Sequence, residues 1–308
     1  MIHTANHGQG IRAPSNRWIR PGTPGHRVLS RLKSGEQIVC FGACTPFRNI
    51  ILEELGIHDS WISSFELSAL LGERDDESIG FEENAFFINR IVAKCPGMNM
   101  FVDCDTGWGG DESEMELSFS KLSGKVAMVV IENVAPGRKD NSFRFTHADV
   151  LATPEETASR LACLGRSCDD VLIALRLENY VCGLDLYQTL DYAKQVVDAG
   201  GVFDSLIFHN TQQDIEPVLE FSRLFRAEFG DDKLLTCIPT AYIQTKNLLR
   251  TLVDSHYQIV VIPNFSVRSE LQTHSELYSR LANGLLHEVD EASVRMSAVI
   301  DLVYSRDT

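Results

Sequence analysis

Residues 126–131 read VAMVVI and residues 258–262 read QIVVI, two short runs in which nearly every side chain is apolar. An antiparallel strand with one exposed face alternates apolar and polar residues, whereas a strand of a parallel sheet is buried on both faces and reads as a continuous apolar run. Both stretches therefore predict strands of a parallel sheet that helices cover on its outer face and that side chains fill inside.

Runs of this kind recur along the chain from Gln37 onward, and longer segments with the apolar spacing of helices lie between them. There are eight runs, which is the number of strands that a closed β/α barrel requires. The sequence therefore predicts an α/β fold, a (β/α)8 TIM barrel. The predicted strands cover residues 37–42, 59–63, 100–104, 125–132, 171–177, 205–209, 234–238 and 258–263, and the predicted helices cover residues 47–55, 82–94, 112–122, 154–165, 185–198, 213–229 and 243–255, with a final helical stretch from about residue 266.

The composition is typical of a soluble protein, with 44% apolar and 23% charged residues among 308. The longest apolar run, residues 126–131, is far too short to cross a bilayer. Eight cysteines without a CxxC pair fit neither a zinc site nor a disulfide framework. No secretory signal is expected, and a cytoplasmic location is predicted. We predict one barrel domain over residues 29–308, since such barrels commonly reach about 250 residues and more.

The charge is distributed unevenly along the chain. The net charge of −15 argues against a nucleic-acid-binding surface on the body of the protein, but the first 35 residues contain no Asp or Glu. With Pro14, Pro21 and Pro24, residues 1–28 predict a flexible basic arm, either a solubilising tail or a segment lying on the acidic surface of a sister subunit. The cations of the first 35 residues are Arg12, Arg17, Arg20, Arg27, Arg31 and Lys33.

Acidic residues follow successive predicted strands. Asp103 and Asp105 leave one strand into a glycine-containing turn, Glu132 ends the next strand, and Asp75 lies beyond an earlier one. Active sites of β/α barrels lie at the C-terminal ends of the strands, so we expect the four carboxylates to meet at one rim. Oxygen ligands suit Mg²⁺, which takes some carboxylates directly and others through water. The pattern predicts a metal-dependent enzyme that acts on an oxygen-rich substrate.

A second polar cluster lies within an apolar strand, where Arg176 and Glu178 interrupt the run ALRLE. Charged residues are seldom buried without a partner. We therefore expect these two side chains to pair with each other, with the metal shell or with an anionic ligand.

Seven segments match those of one known superfamily in order and spacing. They are Trp61 to Ser64 with Leu67 to Asp75; Asp103 to Gly110; Glu132 with Pro136, Asn141 and Ser142; Arg176 to Glu178; Ile207 to His209; Ile238 to Thr240 with Tyr242; and Asn264 with Arg268. On these residues the chain resembles the phosphoenolpyruvate mutase and isocitrate lyase superfamily, from about Val28 onward. Within that superfamily it looks most like the phosphoenolpyruvate phosphonomutases.

The resemblance implies an activity, a cofactor and an assembly. The activity is the Mg²⁺-dependent interconversion of phosphoenolpyruvate and phosphonopyruvate, an isomerase reaction that forms the carbon–phosphorus bond in phosphonate biosynthesis. The implied fold is a β/α barrel whose last helix swaps onto a neighbouring subunit, in a dimer or, usually, a tetramer. Residues 266–303, apolar on one face, would be that segment here. The expected partner is a small phosphorylated or phosphonylated 2-oxo acid, and neither nucleic acid nor a membrane.

The resemblance also implies a metal centre. Asp105 would be the principal direct Mg²⁺ ligand, and Asp75, Asp103 and Glu132 would hold metal-bound waters. The catalytic residues it implies are Asp75, Asn141, Arg176 and His209.

The residues that the resemblance places in contact with substrate are Trp61, Ser63, Ser64, Asn141, Ser142, Arg176 and His209. Backbone N–H groups at Ser63 and Ser64 would receive the substrate carboxylate, and Trp61 would wall the flat pyruvyl group. Arg176 would neutralise charge on the enolate and the phosphoryl group, and His209 would contact the polar end of the substrate. Asn141, on a mobile loop, would close over the phosphoryl group.

The chain departs from the family in that loop, which is one residue longer between Glu132 and Asn141. Asn133 and Val134 replace an acid and a lysine, and Arg138 or Lys139 could stand in for a second lysine. A further family lysine, after Pro-Thr, is Ala241 here. Loss of cations near a substrate with several negative charges should weaken its binding or redirect its chemistry.

Three alternatives to the mutase activity differ in how well they agree with these features. Phosphonopyruvate hydrolase, or another 2-oxo-acid activity of the superfamily, is the first alternative. Carbon–carbon lyase activity is disfavoured because residues 133–143 contain no cysteine. A non-catalytic metabolite-binding relative is less compatible, since a scaffold has no reason to keep buried charges.

Overall fold

Eight parallel strands form a closed barrel in the computed structural model, which describes residues 10–108, 111–144 and 147–305. The last strand, β10 (Ile259–Ile262), pairs with the first strand of the barrel, β3 (Ile38–Gly42), so the sheet has no edge. The prediction of a (β/α)8 barrel is confirmed. Between them run β4 Asp59–Ile62, β5 Asn99–Asp103, β6 Met128–Glu132, β7 Leu172–Leu177, β8 Ser205–Phe208 and β9 Leu234–Cys237.

Helices connect the strands and cover the outside of the barrel. The helix after β6 begins at Pro154 with a capping box, in which the Thr153 hydroxyl accepts from the Glu156 N–H and the Glu156 carboxylate accepts from the Thr153 N–H. The outer helices are α2 Pro46–Glu54, α3 Ser64–Leu71, α4 Phe81–Lys94, α5 Glu112–Ser120, α6 Pro154–Ser167, α7 Leu186–Asp198, α8 Glu216–Phe229 and α9 Leu248–Asp254; α10 Phe265–Ala282, α11 Leu286–Ala292 and α12 Met296–Tyr304 follow β10.

Side chains alternate between two cores along each barrel strand. On β6, Met128 and Val130 belong to the core inside the barrel, whereas Val129 and Ile131 belong to the core between the strands and the helices. This alternation is the period of two that strand geometry imposes. Both faces of the strand are therefore apolar, which explains why the run VAMVVI has no polar residue.

The expectation of a flexible arm is wrong for residues 10–28, and residues 1–9 lie outside the described residues. The segment contains a small hairpin, β1 (Ile11–Arg12) and β2 (Trp18–Ile19), and leads into helix α1 (Pro24–Lys33). Ile19 is fully buried and packs with the inner core of the barrel. Hairpin and helix thus close the N-terminal end of the barrel.

The basic residues of this segment pair with acids of their own chain that stand at strand beginnings. Arg17 Nη2 is 2.6 Å from Asp204 Oδ2, just before β8, and Arg20 Nη2 is 2.5 Å from Asp170 Oδ2, just before β7. Asp204 and Asp170 are fully buried, and a buried carboxylate needs such a partner. The positive charge at the start of the chain therefore balances acids at the bottom of the barrel.

Replacing Ile19 by alanine is expected to lower the free energy of unfolding by about 2–5 kcal/mol, because it removes a fully buried side chain. Urea unfolding followed by circular dichroism measures the change. Trp18→Ala is the control on the same strand, since Trp18 is 54% exposed. Equal and small effects of the two substitutions would show that the hairpin is not part of the folded core.

The three helices after β10 differ from the rest, since none of their residues is buried. Leu271, Val294 and Met296 are each more than 70% exposed. Within the described residues, no helix combines the length and apolar character needed to cross a membrane. The predicted exchange of this segment between subunits stays a prediction.

Candidate functional site

The polar side chains of the site continue the inward-facing rows of the barrel strands. Val130 of β6 lies in the inner core, and Glu132 is the next residue of the same row. In the same way Ala174 of β7 is followed by Arg176. Because alternate residues of a strand face the same side, the strands themselves bring these charged groups to the C-terminal mouth of the barrel.

The guanidinium of Arg176 lies among three carboxylates. Its Nε is 2.5 Å from Glu178 Oε1, Nη1 is 3.3 Å from Asp103 Oδ2, and Nη2 is 3.6 Å from Glu132 Oε2. Burial lowers the pKa of Arg176, but the surrounding carboxylates outweigh it and raise the pKa further above its usual value. Three kinds of partner were expected for Arg176 and Glu178, namely each other, the metal shell and an anionic ligand, and the structure shows that they pair with each other.

Glu178 also holds the ring of His209. The His209 Nδ1 atom is 2.9 Å from both carboxylate oxygens of Glu178. Burial opposes ionisation of Glu178, but Arg176 and His209 outweigh it and bring its pKa to about 2. Glu178 is therefore an anion at neutral pH that fixes the orientation of the imidazole.

The four acids singled out in the sequence, Asp75, Asp103, Asp105 and Glu132, are called the site carboxylates below. Each has at least one buried oxygen that accepts no hydrogen bond within the described part of the chain, and Glu132 has two. Burial raises the pKa of Asp103, raises that of Asp105 to about 8 and raises that of Glu132 well above its usual range. Buried oxygens without a donor are unfavourable, so these oxygens are available to a cation.

A second buried cation, Lys139, faces this cluster in addition to Arg176. Lys139 Nζ is 3.5 Å from Asp75 Oδ1 and 3.5 Å from Asp105 Oδ1, and its side chain is only 2% exposed. Burial lowers the pKa of Lys139, but Glu132, Asp105 and Asp75 outweigh it and raise that pKa. The sequence left Arg138 and Lys139 as alternatives; the structure places Lys139 in the site and Arg138 on the surface.

The site carboxylates fit a divalent cation that is held largely through water. Among the described residues, no three His, Cys, Asp or Glu side chains converge closely enough to coordinate one ion directly. Mg²⁺ ordinarily keeps several waters and takes one or two carboxylates. The buried oxygens of the site carboxylates that accept no hydrogen bond suit that mode of binding.

A loop covers the site, and we call residues 135–150 the lid; residues 145–146 lie outside the described residues. Its two ends are joined by a bridge between Val134 and Leu151 and by a bond from the Ala135 N–H to the Val150 carbonyl. Asn141 Nδ2 donates to Asp75 Oδ2 at 2.8 Å, and Ser142 Oγ donates to Glu178 Oε1 at 3.2 Å. The lid therefore contacts one of the site carboxylates and Glu178, and its two ends are held to each other.

The altered residues at the start of the loop do not face the cavity beneath the lid. Asn133 Nδ2 donates to Asn179 Oδ1 at 2.7 Å, and Asn133 Oδ1 accepts from the Glu178 N–H at 2.8 Å. Val134 is fully buried. Both residues are thus part of the support of β7 and the lid rather than of the substrate surface.

The cavity beneath the lid has a volume of about 50 Å³. A single water needs about 10–15 Å³ by this measure, so the space holds a few waters. The lining residues are Trp61, Ser63, Ser64, Phe65, Asp75, Asp103, Asn141, Ser142, Phe143, Arg176, His209, Ile238, Thr240, Pro263 and Asn264.

One wall of the cavity is the start of helix α3, an element that was not predicted from the sequence. Ser63 caps the helix, since its hydroxyl accepts from the Glu66 N–H at 3.3 Å, and Ser64 is the first helical residue. The pattern Ser63-x-x-Glu66 before Gly72 is the signal that was missed. The first N–H groups of a helix lack partners within it and attract anions.

Nine of the eleven predicted site residues line this cavity, and the other two lie deeper in the barrel mouth, behind the lining. Asp105 and Glu132 lie behind the lining, next to Lys139 and Arg176 respectively. The predictions did not include Phe143 of the lid, which also lines the cavity.

Comparison with known proteins identifies the family of the chain. The family model for phosphoenolpyruvate phosphomutase matches residues 29–276. The chain belongs to the phosphoenolpyruvate phosphomutase family. It is 28% identical over 171 residues to a phosphoenolpyruvate phosphomutase of Streptomyces hygroscopicus, which is 54% of this chain and 53% of that protein. It is 21% identical over 193 residues to the one of Tetrahymena pyriformis, 62% of each. The matches thus span between about half and three-fifths of these relatives.

Solved structures of the phosphoenolpyruvate phosphomutase superfamily share the fold. A phosphoenolpyruvate phosphomutase from Streptomyces platensis subsp. rosaceus superposes with a TM-score of 0.80 at 23% identity, covering 90% of this chain and 94% of that one. A phosphonopyruvate hydrolase complexed with oxalate and Mg²⁺ gives a TM-score of 0.78 at 22% identity, covering 91% and 94%. Both similarities support the barrel fold of this chain.

Proposed function

We propose that the protein is a Mg²⁺-dependent phosphoenolpyruvate mutase that interconverts phosphoenolpyruvate and phosphonopyruvate. The observation that carries the proposal is that buried carboxylate oxygens which accept no hydrogen bond lie around one lidded cavity together with two buried cations, Arg176 and Lys139. The carboxylates suit a divalent ion and the cations suit a phosphorylated acid. The resemblance of the sequence and the family of the chain support the same reading.

Asp105 would be the direct ligand of the ion, and Asp75, Asp103 and Glu132 would hold its waters. When bound, the ion would supply positive charge that stabilises the enolate oxygen of pyruvate. The start of helix α3 at Ser63 and Ser64 would receive the substrate carboxylate, as helix N-termini do for anions.

Arg176 and Lys139 would act on the phosphoryl group. Transfer from the enol oxygen to the methylene carbon passes through a loose, metaphosphate-like species, so it needs positioning and charge stabilisation rather than a side-chain nucleophile. Arg176 is fixed by Glu178, which also fixes His209 at the polar end of the substrate. Trp61, 2% exposed, would form the flat wall beside the pyruvyl group.

The lid would exclude water from the phosphoryl group before it is recaptured. Asn141 and Ser142, which line the cavity, would close over that group. Admission of one water to the same site would give phosphonopyruvate hydrolysis, the alternative activity. The loop of this chain is one residue longer than in the family between Glu132 and Asn141, and this difference favours considering the hydrolase as the alternative.

Phosphorus NMR of the purified protein with Mg²⁺ and either phosphonopyruvate or phosphoenolpyruvate tests the proposal. Appearance of the other compound in each case is the expected result. Release of inorganic phosphate from phosphonopyruvate would establish the hydrolase instead. Unchanged spectra with both compounds would contradict both activities and leave a metabolite-binding protein.

Replacing Lys139 by alanine is expected to lower kcat/KM by about 10²-fold or more, because it removes the buried cation beside Asp75 that would act on the phosphoryl group. Arg138→Ala is the matched control, since Arg138 is the neighbouring cation of the lid and is exposed. Steady-state kinetics on both variants decides between them. A larger loss for Arg138→Ala would mean that the other cation serves the substrate.

The assembly is also a proposal. The apolar side chains exposed on α10, α11 and α12 support the exchange of this segment between subunits of a homo-oligomer, a dimer or tetramer. The predicted cytoplasmic location likewise stays a prediction.

A further inference from the structure

The turn that carries Asp105 is held from two sides by residues that do not line the cavity. Asp105 has a φ of 49°, a left-handed conformation that residues with side chains rarely adopt. Thr106 follows it directly. The Thr106 N–H and hydroxyl donate to Glu77 Oε1 at 2.9 and 2.7 Å, and the Thr106 carbonyl accepts from Arg160 Nη1 at 2.9 Å. The Glu77 carboxylate and the Arg160 guanidinium therefore both hydrogen-bond to Thr106.

Arg160 joins the ends of two strands. It projects from α6 and is 7% exposed, and the Nη1 atom that reaches the Thr106 carbonyl is also 3.4 Å from the Glu132 carbonyl. Within the described ranges, no carboxylate lies at ion-pair distance from it, so its bonds go to backbone carbonyls and the Thr157 hydroxyl. Burying a guanidinium without an acid is unfavourable, and an apolar side chain would fill the same space at lower cost. We attribute the burial of Arg160 to its hydrogen bonds with the carbonyls of Glu132 and Thr106, the residue after Asp105.

Glu77 provides the second link. It lies two residues after Asp75 and accepts from the Trp108 N–H at 3.2 Å as well as from Thr106. It therefore fastens the segment of Asp75 to the turn of Asp105. With Arg160, it connects Asp75, Asp105 and Glu132 through a single residue, Thr106.

We propose that Glu77 and Arg160 are positioning residues that clamp Thr106 from opposite sides and thereby set the spacing of Asp75, Asp105 and Glu132 for a divalent cation. The inference rests on the part of the proposed function in which these carboxylates hold that ion. Partners that orient ligand groups commonly change metal affinity by 10–100-fold when they are removed. Neither residue needs to touch the ion or the substrate.

Binding of Mn²⁺ to the purified full-length protein without substrate, followed by electron paramagnetic resonance, tests the proposal. Arg160→Met, Glu77→Gln and Thr106→Val are each expected to raise the dissociation constant by about 10-fold or more. Arg160→Lys should restore part of the affinity, because it returns a donor without the planar fork. Arg166→Met is the control on the same helix, with a 54% exposed side chain that pairs with Glu116, and should leave binding unchanged.

Thermal unfolding of each variant distinguishes a folded protein in which the spacing of the site carboxylates has changed from a protein that no longer folds. Glu77→Gln and Thr106→Val keep side-chain size, so they remain informative if Arg160→Met does not fold. Folded variants that bind Mn²⁺ within two-fold of the wild type would overturn the proposal, and so would a wild type that binds no Mn²⁺. Failure of the mutase proposal has a different signature, which is normal Mn²⁺ binding without any change in the phosphorus spectrum.

Discussion

Replacing Asp105 by alanine is expected to reduce turnover by about 10³-fold or more while the barrel stays folded. The side chain is buried at 2% exposure, carries an oxygen without a donor and is the proposed direct ligand of the cation. Its removal takes away the group that fixes the ion's charge at the enolate, where electrostatic stabilisation contributes most to catalysis. The substitution removes no apolar core volume, so secondary structure should be unchanged.

Turnover of the Asp105 variant is measured with saturating Mg²⁺, and circular dichroism checks its fold. Asp232→Ala is a suitable control, since Asp232 is an exposed acid just before β9, at the opposite end of the barrel. A variant that converts substrate at the wild-type rate would exclude Asp105 as a metal ligand. A control that also loses activity would point to a general charge effect.

Arg176→Met is expected to abolish turnover and to lower the free energy of unfolding by about 3–5 kcal/mol. Arg176 compensates Glu178, Asp103 and Glu132, and its loss leaves buried negative charge without a partner. Urea unfolding at pH 7 measures the stability, with Arg250→Met as the exposed control. Arg176→Lys should recover stability in part but not turnover, since lysine keeps the charge and loses the planar fork.

The effect of Arg176→Met on stability should depend on pH. The pKa of Glu178 is about 2 in the folded protein, below the roughly 4.3 of an unfolded glutamate. A depressed pKa stabilises the fold above the unfolded value, and this stability is lost as pH falls towards 2. Without Arg176 that contribution is largely absent. The difference in stability between wild type and variant should therefore shrink between about pH 5 and pH 2, and a difference that is constant over this range would contradict the proposed role of Arg176.

The barrel was predictable because its strands are buried on both faces. Runs such as residues 126–131 have no polar residue, and the predicted strand at 125–132 contains the observed β6. The convergence of charged groups followed from the same pattern, since Glu132 and Arg176 end rows of inward-facing residues. The order of the strands and the alternation of side chains along them were therefore enough to predict where most of the site residues lie.

Contacts between distant parts of the chain were not predictable in the same way. Arg17 and Arg20 read as an arm because their partners, Asp204 and Asp170, stand more than a hundred residues later. Burial of those carboxylates is what orders the segment, and no local pattern reports it. The basic composition and the prolines near the start of the chain pointed to the wrong conclusion.

The conformation of the lid is a second feature that could not be predicted from the sequence. Arg138 and Lys139 are adjacent cations, and only the path of the loop decides which one is buried against Asp75. Likewise, Arg160 looks like an ordinary helical residue until its bond to the Thr106 carbonyl is seen. Backbone carbonyls have no signature in the sequence, so residues that act on them are found only in the structure.

Anomalous diffraction from crystals of the protein grown or soaked with Mn²⁺ tests directly whether the site carboxylates hold a divalent cation. One ion per chain at the mouth of the barrel, bound directly by the Asp105 carboxylate with Asp75, Asp103 and Glu132 around its waters, is the predicted result. An ion at another location, or none in crystals that contain Mn²⁺ in excess, would contradict the central claim that these carboxylates hold a divalent cation.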